Sequence, residues 1–428
     1  MRLKFLLVLL ASLFAGSSYA AERTVIVALF DGFSPAEQDA AKDTPNLDRI
    51  KREGVWSRHL VPAFPSVSLI NHTTFATGCW PEHHGMLSNY FYDPKRGLFG
   101  DRADVGGPND PGDNDWHTGC ETMWQAAERQ GVRAAAFNFV GRWSMTKGKM
   151  ATYANPPTKL HEGPPDEATL ASGLKMLADN GPNHPRLIAL YFKGPDETAH
   201  YNGVESPKTQ AMVRKADWIV GQLMAGISKL PKDREAALIV GTDHGMIDVG
   251  PLVNVGRLMN MYDIHARQAT DGATSFLYLD KGESADRVVA ALAPYKDIFK
   301  VYRKGHYPAY AHLGDGPRAP DLLLVSHPPY WMVGPEVFPP WTDWIGIRKY
   351  WPPVFTPFIG SLKATHGYDP TTVIQMHGIF YAWGAGVAKG KEIKRLDMID
   401  VHPTAMKLLG LQPGNPVDGH PVAELFAK

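Results

Sequence analysis

The chain reads as an α/β protein, a three-layer α/β/α sandwich around a mostly parallel sheet, with a small inserted subdomain late in the sequence. Three observations predict this. Short apolar runs alternate with longer amphipathic segments, the pattern of strand–helix–strand units. Three of the runs lead directly into an acidic residue, at the place where such sheets bind ligands, beyond the carboxyl ends of their strands. From Pro251 the alternation gives way to short strands and then to a stretch dense in proline and aromatics.

The first twenty residues stand outside the fold. Arg2 and Lys4 precede the apolar run Phe5–Phe14, and small residues lead up to Ala20. This is the pattern of a cleavable secretory signal peptide over 1–20, and its apolar part is too short to span a membrane. No Cys lies near the cut, which argues against a lipid anchor. The expectation is an exported protein, periplasmic or secreted, with no membrane anchor.

Val25–Phe30 is continuously apolar, as a strand buried on both faces should be. Thr44 and Pro45 open a helix that runs through Arg52 and ends at Gly54. Trp116–Gln130 is amphipathic and stops at Gly131. Arg133–Phe139 reads as a strand, Asp166–Asn180 as a helix, Arg186–Phe192 as a strand, Pro207–Leu230 as a long helix and Ala236–Gly241 as a strand. The core resumes near 361 and closes with a helix over Pro403–Leu409. The catalytic core is therefore expected over 21–250 and 361–428, and the insert over 251–360. Within the insert, 272–280 and 298–303 read as strands around a helix at 284–294. Residues 327–359 hold Pro328, Trp331, Pro339, Trp341, Trp344, Tyr350 and Trp351, too much proline for regular structure. Two readings stand for it: a packed surface loop, or an aromatic wall facing substrate.

Forty-four basic and 44 acidic side chains cancel to zero formal charge. No basic stripe exists, so a nucleic-acid polymer is not expected as partner; a small molecule is. The only two cysteines, Cys79 and Cys120, are either a disulfide in an oxidising compartment or two buried thiols. Oligomeric state is not written in the sequence.

Four short stretches carry one kind of chemistry: Phe30-Asp31-Gly32, Pro195-Asp196-Glu197-Thr198-Ala199-His200, Thr242-Asp243-His244-Gly245-Met246 and Thr365-His366-Gly367-Tyr368-Asp369. Singly, an Asp after a strand is often a helix cap and a His-Gly pair a turn. Together, six oxygen and nitrogen donors from four loops are what a two-metal hydrolytic site needs. Phe64-Pro65-Ser66-Val67-Ser68-Leu69-Ile70-Asn71-His72 forms a turn into a short helix, where a hydroxyl meets unpaired N–H groups and the positive end of the dipole. Ser66, Ser68 and Thr73 all qualify as the nucleophile on these grounds. His72, His83, His84, His377 and His402 have no ligand position and read as packing or surface residues.

The run from Ser68 through Thr77-Gly78-Cys79-Trp80-Pro81-Glu82 to Asn89 and Asp93 resembles the nucleophile region of nucleotide pyrophosphatase/phosphodiesterases, a branch of the alkaline phosphatase superfamily. The four metal-type motifs resemble that family in the same order. The likeness covers most of 23–260 and 361–410 and omits the aromatic insert. It implies an alkaline-phosphatase-like fold and two Zn2+ ions, with Mn2+ or a mixed pair as alternatives. Asp196, His200 and His366 would hold one ion. Asp31, Asp243 and His244 would hold the other, with Ser68 bridging toward it. Ser68 would attack to form a covalent phosphoryl-serine, and Asn89 would donate to a phosphoryl oxygen.

The chain also departs from the family pattern. The family's nucleophile is most often Thr; here the position is Ser68, as in the superfamily's monoesterases and in the family's choline-phosphodiester branch. Leu69 stands where nucleotide-cleaving members carry a stacking aromatic. Tyr191 or Phe192 is then expected to pack on a base or a choline, so Leu69, Tyr191, Phe192 and Asn89 are the expected substrate contacts. The expected activity is hydrolysis of nucleotide or small phosphodiesters. A choline-type glycerophosphodiesterase and a phosphomonoesterase on the same metal pair are the alternatives. Monoesters need extra cations near the nucleophile, for which Arg142 is the one nearby candidate. A periplasmic binding protein that keeps its metals only for stability is the non-enzymatic alternative.

Overall fold

The computed structural model describes residues 23–99, 116, 119–145, 147–156, 163–334, 350–356 and 362–427. The signal-peptide reading over 1–20 and Pro339, Trp341 and Trp344 lie outside these residues.

The strand Arg23–Phe30 sits inside a nine-stranded sheet, parallel to Leu187–Phe192 on one side and to Glu235–Thr242 on the other. From Val25 to Phe30 its residues are all apolar because both faces are covered. Val25, Val27 and Leu29 join a cluster with Phe75, Trp124 and Met406. Ile26, Ala28 and Phe30 join another with Leu47, Leu170 and Leu223. Helices thus cover both faces, as expected. The register matters for function: Phe30 pairs with Phe192 and with Thr242. The segments leaving these three strand ends start level with one another, on one edge of the sheet.

Outward on one side lie Ala134–Phe137 and Tyr153–Ala154; on the other lie Gly378–Gly384, Val55–Val61 and two short edge strands. Gly378–Gly384 runs antiparallel to both its neighbours. Neither it nor Val55–Val61 stands out in the sequence, since Ser57, Arg58 and His59 break the apolar run of the latter. The helix expected from Trp116 begins only at Met123. Thr122 and Gln125 form a reciprocal capping box there, which fixes the start. The same signature, Ser34 with Glu37, starts a helix over Pro35–Ala41 that the apolar periodicity did not reveal.

Within the later segment, Ala266–Asp271, Thr274–Leu279, Leu322–Ser326 and Phe299–Arg303 form a separate antiparallel sheet. Ala285–Leu292 packs on it through Val288 and Leu292. The proline-rich stretch is not wholly irregular. Trp331–Val333 and Val354–Phe355 flank Leu252–Asn254 as short strands. Two or three residues between prolines are enough to pair. The hairpin turn Asp271-Gly272 leans on the core: Gly272 has φ +55°, and a Cβ there would lie 2.3 Å from the His366 carbonyl oxygen.

Cys79 and Cys120 are bonded across a separation of 41 residues. Cys79 follows the helix Ser68–Thr77, and Cys120 precedes the helix Met123–Arg129. Replacing both with Ser should cost about 2–4 kcal/mol of unfolding free energy. Urea denaturation of the variant against the oxidised parent checks this.

Candidate metal centre and nucleophile

The turn before the nucleophile is held by one buried amide. Asn71 Oδ1 accepts from the Ala63 N–H at 2.7 Å, while its Nδ2 donates to the carbonyls of Ala63 and Val67, both at 3.1 Å. The helix Ser68–Thr77 starts on this staple. Three hydroxyls lie near it, and two are engaged elsewhere. Ser66 Oγ donates to the Tyr368 carbonyl at 3.0 Å, and Thr73 Oγ1 donates to the Leu69 carbonyl at 2.9 Å. Ser68 Oγ lies 3.4 Å from Asp31 Oδ1 and 3.2 Å from His244 Nε2. Among the three, it alone faces the acid–imidazole cluster, and it lines a cavity of about 360 Å³.

Strand ends deliver the cluster. Asp31 follows Arg23–Phe30, Asp243 and His244 follow Glu235–Thr242, and Asp196 and His200 share one face of the helix Asp196–Asn202 after Leu187–Phe192. His366 follows the short strand Ala364–Thr365. The three imidazoles are oriented alike. Nδ1 meets a backbone carbonyl in each: His200 at Ala364, 2.8 Å; His244 at Gly245, 3.0 Å; His366 at Ser66, 2.9 Å. A proton held at Nδ1 leaves Nε2 as the atom turned toward the centre of the cluster, the orientation a metal ligand needs; at His200, Asp196 acts against burial and lifts the pKa to about 9.

The carboxylates are held as firmly. Asp243 Oδ1 accepts from the Gly32 and His244 N–H groups at 3.0 and 2.9 Å. Asp31 Oδ2 accepts from the Tyr191 hydroxyl. Asp243 Oδ2 and Asp196 Oδ1 are buried with no hydrogen-bond partner. Such orphaned anionic oxygens are costly without a cation. Burial, followed by the charges of Asp243 and Asp196, raises the Asp31 pKa well above the ordinary carboxyl value. Burial acts against ionisation of Asp243 too, yet the His244 and His72 rings hold it down at about 2. Burial likewise acts on His366, and with His244 beside it the pKa falls well below the usual imidazole range.

Two groups of donors converge tightly. Ligand atoms of Asp31, Asp243 and His244 lie within 4.8 Å of one another, as do those of Asp196, His244 and His366. His244 stands between the two groups, its ring stacked on His366 with centroids 3.7 Å apart. His200 approaches the second group from its rim, with Nε2 3.4 Å from Asp196 Oδ2. All six ligands expected from the sequence are brought together. Imidazole nitrogens, carboxylates and orphaned oxygens make a donor set that fits divalent ions such as zinc.

Asn89 lines the cavity beside Ser68. Its Oδ1 accepts from the Leu69 N–H at 2.8 Å, which turns Nδ2 away from that bond and leaves it to donate. The other expected substrate contacts are corrected by the structure. Leu69 is completely buried in the core. Tyr191 is also completely buried, spending its hydroxyl on Asp31. Phe192 stacks on Phe30, centroids 4.9 Å apart, inside the opposite layer. A strand covered on both faces has no residue to spare for a ligand, and the unbroken apolar run already carried that signal. The cavity is lined instead by Tyr90, Glu197, Tyr201, Asp271 and Trp331. Glu197 lies in a motif recognised for its neighbours. Asp271 is an Asp-Gly turn residue that the sequence offers only as a hairpin signal.

Arg142 is buried away from the cavity lining, donating to the carbonyls of Phe139 and Pro156. Of the histidines read as structural, His402 bridges the Ala76 carbonyl and the Gly414 N–H. His83 meets Asp418, His84 meets Thr74, and His377 meets the Pro370 carbonyl. His72 is the exception in position: its Nε2 is 3.6 Å from Asp243 Oδ2.

Comparison with known proteins identifies the family. The family described as type I phosphodiesterase / nucleotide pyrophosphatase matches residues 25–369. Human ectonucleotide pyrophosphatase/phosphodiesterase family member 7 is 29% identical over 416 residues, covering 94% of this chain and 83% of that protein. Venom phosphodiesterase 2 of Crotalus adamanteus is 26% identical over 377 residues, 86% of this chain and 43% of its own. Murine ectonucleotide pyrophosphatase/phosphodiesterase 5, solved as an inactive variant in complex with AMP, superposes with a TM-score of 0.80 at 22% identity, covering 95% of this chain and 100% of that one. This last likeness supports the fold.

The raised Asp31 pKa carries a sign. Burial and the charges of Asp243 and Asp196 favour the protonated form of Asp31, so a proton competes with a cation for this carboxylate. Zinc affinity should therefore increase as pH rises, with proton release visible as a buffer-dependent heat in titration calorimetry.

Proposed function

The chain belongs to the type I phosphodiesterase / nucleotide pyrophosphatase family, and we propose that it hydrolyses phosphodiester and pyrophosphate bonds at a two-metal site through Ser68. One observation carries this reading. Of three hydroxyls at the nucleophile turn, only Ser68 Oγ lies against Asp31 and His244, beside carboxylate oxygens that no protein group satisfies.

Bound divalent ions, zinc by the donor set, supply positive charge that eases ionisation of a hydroxyl and stabilises charge on the phosphoryl oxygens. The chain's own residues do the rest. Ser68 presents its oxygen at the mouth of the cavity, fixed by the Asn71 staple and favoured as an anion by the helix N-terminus. Its proton leaves to solvent in the cavity, because the nearest acceptors, Asp31 Oδ1 and His244 Nε2, would be committed to the ion. The serine–phosphorus bond forms as the bond to the leaving oxygen breaks, and water then cleaves the phosphoryl-serine. Asn89, oriented by the Leu69 N–H, supplies a donor where charge grows.

Diesters are favoured over monoesters, because no Lys or Arg is found among the described residues lining the cavity and Arg142 is committed to carbonyls. Nucleotide substrates are supported by the AMP complex of the murine relative. One observation favours the choline-type alternative: Glu197 and Asp271 face the same cavity as Tyr90, Tyr201 and Trp331. Carboxylates beside aromatic faces suit a cationic headgroup. The non-enzymatic alternative finds no support, since each ligand and the nucleophile hydroxyl are in place. The Cys79–Cys120 bond supports an oxidising compartment, periplasmic or extracellular. No helix among the described residues is long and apolar enough to cross a membrane.

Zinc-loaded protein should cleave bis-p-nitrophenyl phosphate faster than p-nitrophenyl phosphate, and chelator should abolish both activities. Ser68→Ala should lower turnover on the order of 10³-fold or more, with an unchanged circular dichroism spectrum. Preference for the monoester, or an active Ser68→Ala variant, contradicts the proposal. Faster cleavage of glycerophosphocholine than of a dinucleotide would select the cationic-headgroup reading.

A further inference from the structure

Behind the carboxylate pair, on the side away from the cavity, lie two polar rings that the reaction itself does not require. Tyr191, on the central strand Leu187–Phe192, and His72, on the helix Ser68–Thr77, are both completely buried. Their ring centroids are 4.4 Å apart at 64°. Phe139 closes the layer 5.9 Å from the His72 ring, with Trp124 and Phe75 packed on Phe139. The layer is apolar apart from two groups turned toward the site. The Tyr191 hydroxyl donates to Asp31 Oδ2, and His72 Nε2 lies 3.6 Å from Asp243 Oδ2.

We propose that Tyr191, with His72 packed beside it, is a positioning residue that holds the Asp31 carboxylate in a one-oxygen mode toward the metal centre, an inference that rests on the two-metal reading above. The reasoning concerns lone pairs. A buried carboxylate with both oxygens free can turn about its Cβ–Cγ bond or bind an ion through both atoms. At Asp31 the phenol occupies Oδ2. Oδ1 is left facing Ser68 Oγ at 3.4 Å and His244 Nε2 at 3.5 Å. The rotation of Asp31 therefore fixes the distance between ligand and nucleophile. The phenol spends its hydroxyl on Asp31 Oδ2 and is completely buried. Neutral and rigid, Tyr191 orients the carboxylate without adding charge, and the aromatic layer keeps water from competing for Oδ2.

Tyr191→Phe removes one oxygen and keeps the packing. In competition with a fluorescent chelator, the variant should bind zinc about 10- to 100-fold more weakly than the parent. At saturating zinc, kcat on bis-p-nitrophenyl phosphate should fall while KM stays within about twofold, because Tyr191 does not line the cavity. The melting temperature of metal-free protein should be nearly unchanged, while the increase produced by zinc should shrink. Parent-like zinc affinity and kcat in Tyr191→Phe would overturn the inference. An equal loss of melting temperature with and without zinc would overturn it too, since the hydroxyl would then serve only the fold. If the parent itself binds no zinc, the two-metal reading fails and this inference falls with it. If the parent binds zinc and only the variant's parity is seen, the two-metal reading survives alone.

Discussion

Burying Asp31, Asp196 and Asp243 in one cluster is unfavourable unless positive charge joins them. The imidazoles do not remove the problem. His366 is held neutral by its surroundings, and although Asp196, against burial, lifts the His200 pKa to about 9, one imidazolium does not balance three buried carboxylates. The protein alone answers by raising the Asp31 pKa and leaving oxygens of Asp196 and Asp243 without a hydrogen bond. Both are signs of a cluster built for divalent cations, and the rest of the site is arranged around that requirement.

The sheet makes the cluster possible. Parallel strands in register end level with one another, so residues far apart in sequence leave the edge together. The carboxylates come from strand ends, while the helix that begins at Ser68 brings a hydroxyl whose local dipole favours an anion. The separate antiparallel sheet contributes no ligand to the cluster. It reaches the cavity with the Asp271-Gly272 turn, seated so closely on His366 that only glycine fits. The Asp and His cluster thus comes from segments around the central sheet, and the Asp271-Gly272 turn of the second sheet adds to the cavity lining.

Much of this was legible in the sequence, for physical reasons that differ by residue. Val25–Phe30 announced a doubly covered strand because burial on both faces leaves no polar position. Five of the six expected donors were legible because Asp31, Asp196, His200, Asp243 and His244 come after strands of the central sheet, whose ends lie on the ligand-binding edge, while His366 follows a short strand outside that sheet. The nucleophile was not decided by the residues alone: Ser66, Ser68 and Thr73 separate only when the partners of each hydroxyl are known. The family resemblance had already selected Ser68. Tyr191 and Phe192 were misplaced because a wish for a stacking aromatic outweighed the apolar run that contains them. Asp271 and Tyr201 were missed because nothing local marks a residue that reaches a pocket through tertiary contact. The helix start at Met123 was likewise set by a capping box, which overrode the longer amphipathic pattern.

The account stands on two cations sharing one buried donor cluster. Diffraction from zinc-loaded crystals, recorded on both sides of the zinc absorption edge, tests this most directly. Two anomalous peaks about 4 Å apart are expected, one against Asp31, Asp243 and His244 and the other against Asp196, His200 and His366, with Ser68 Oγ beside the first. A zinc-saturated crystal with no anomalous density among these residues, or with both ions bound elsewhere on the surface, would contradict it.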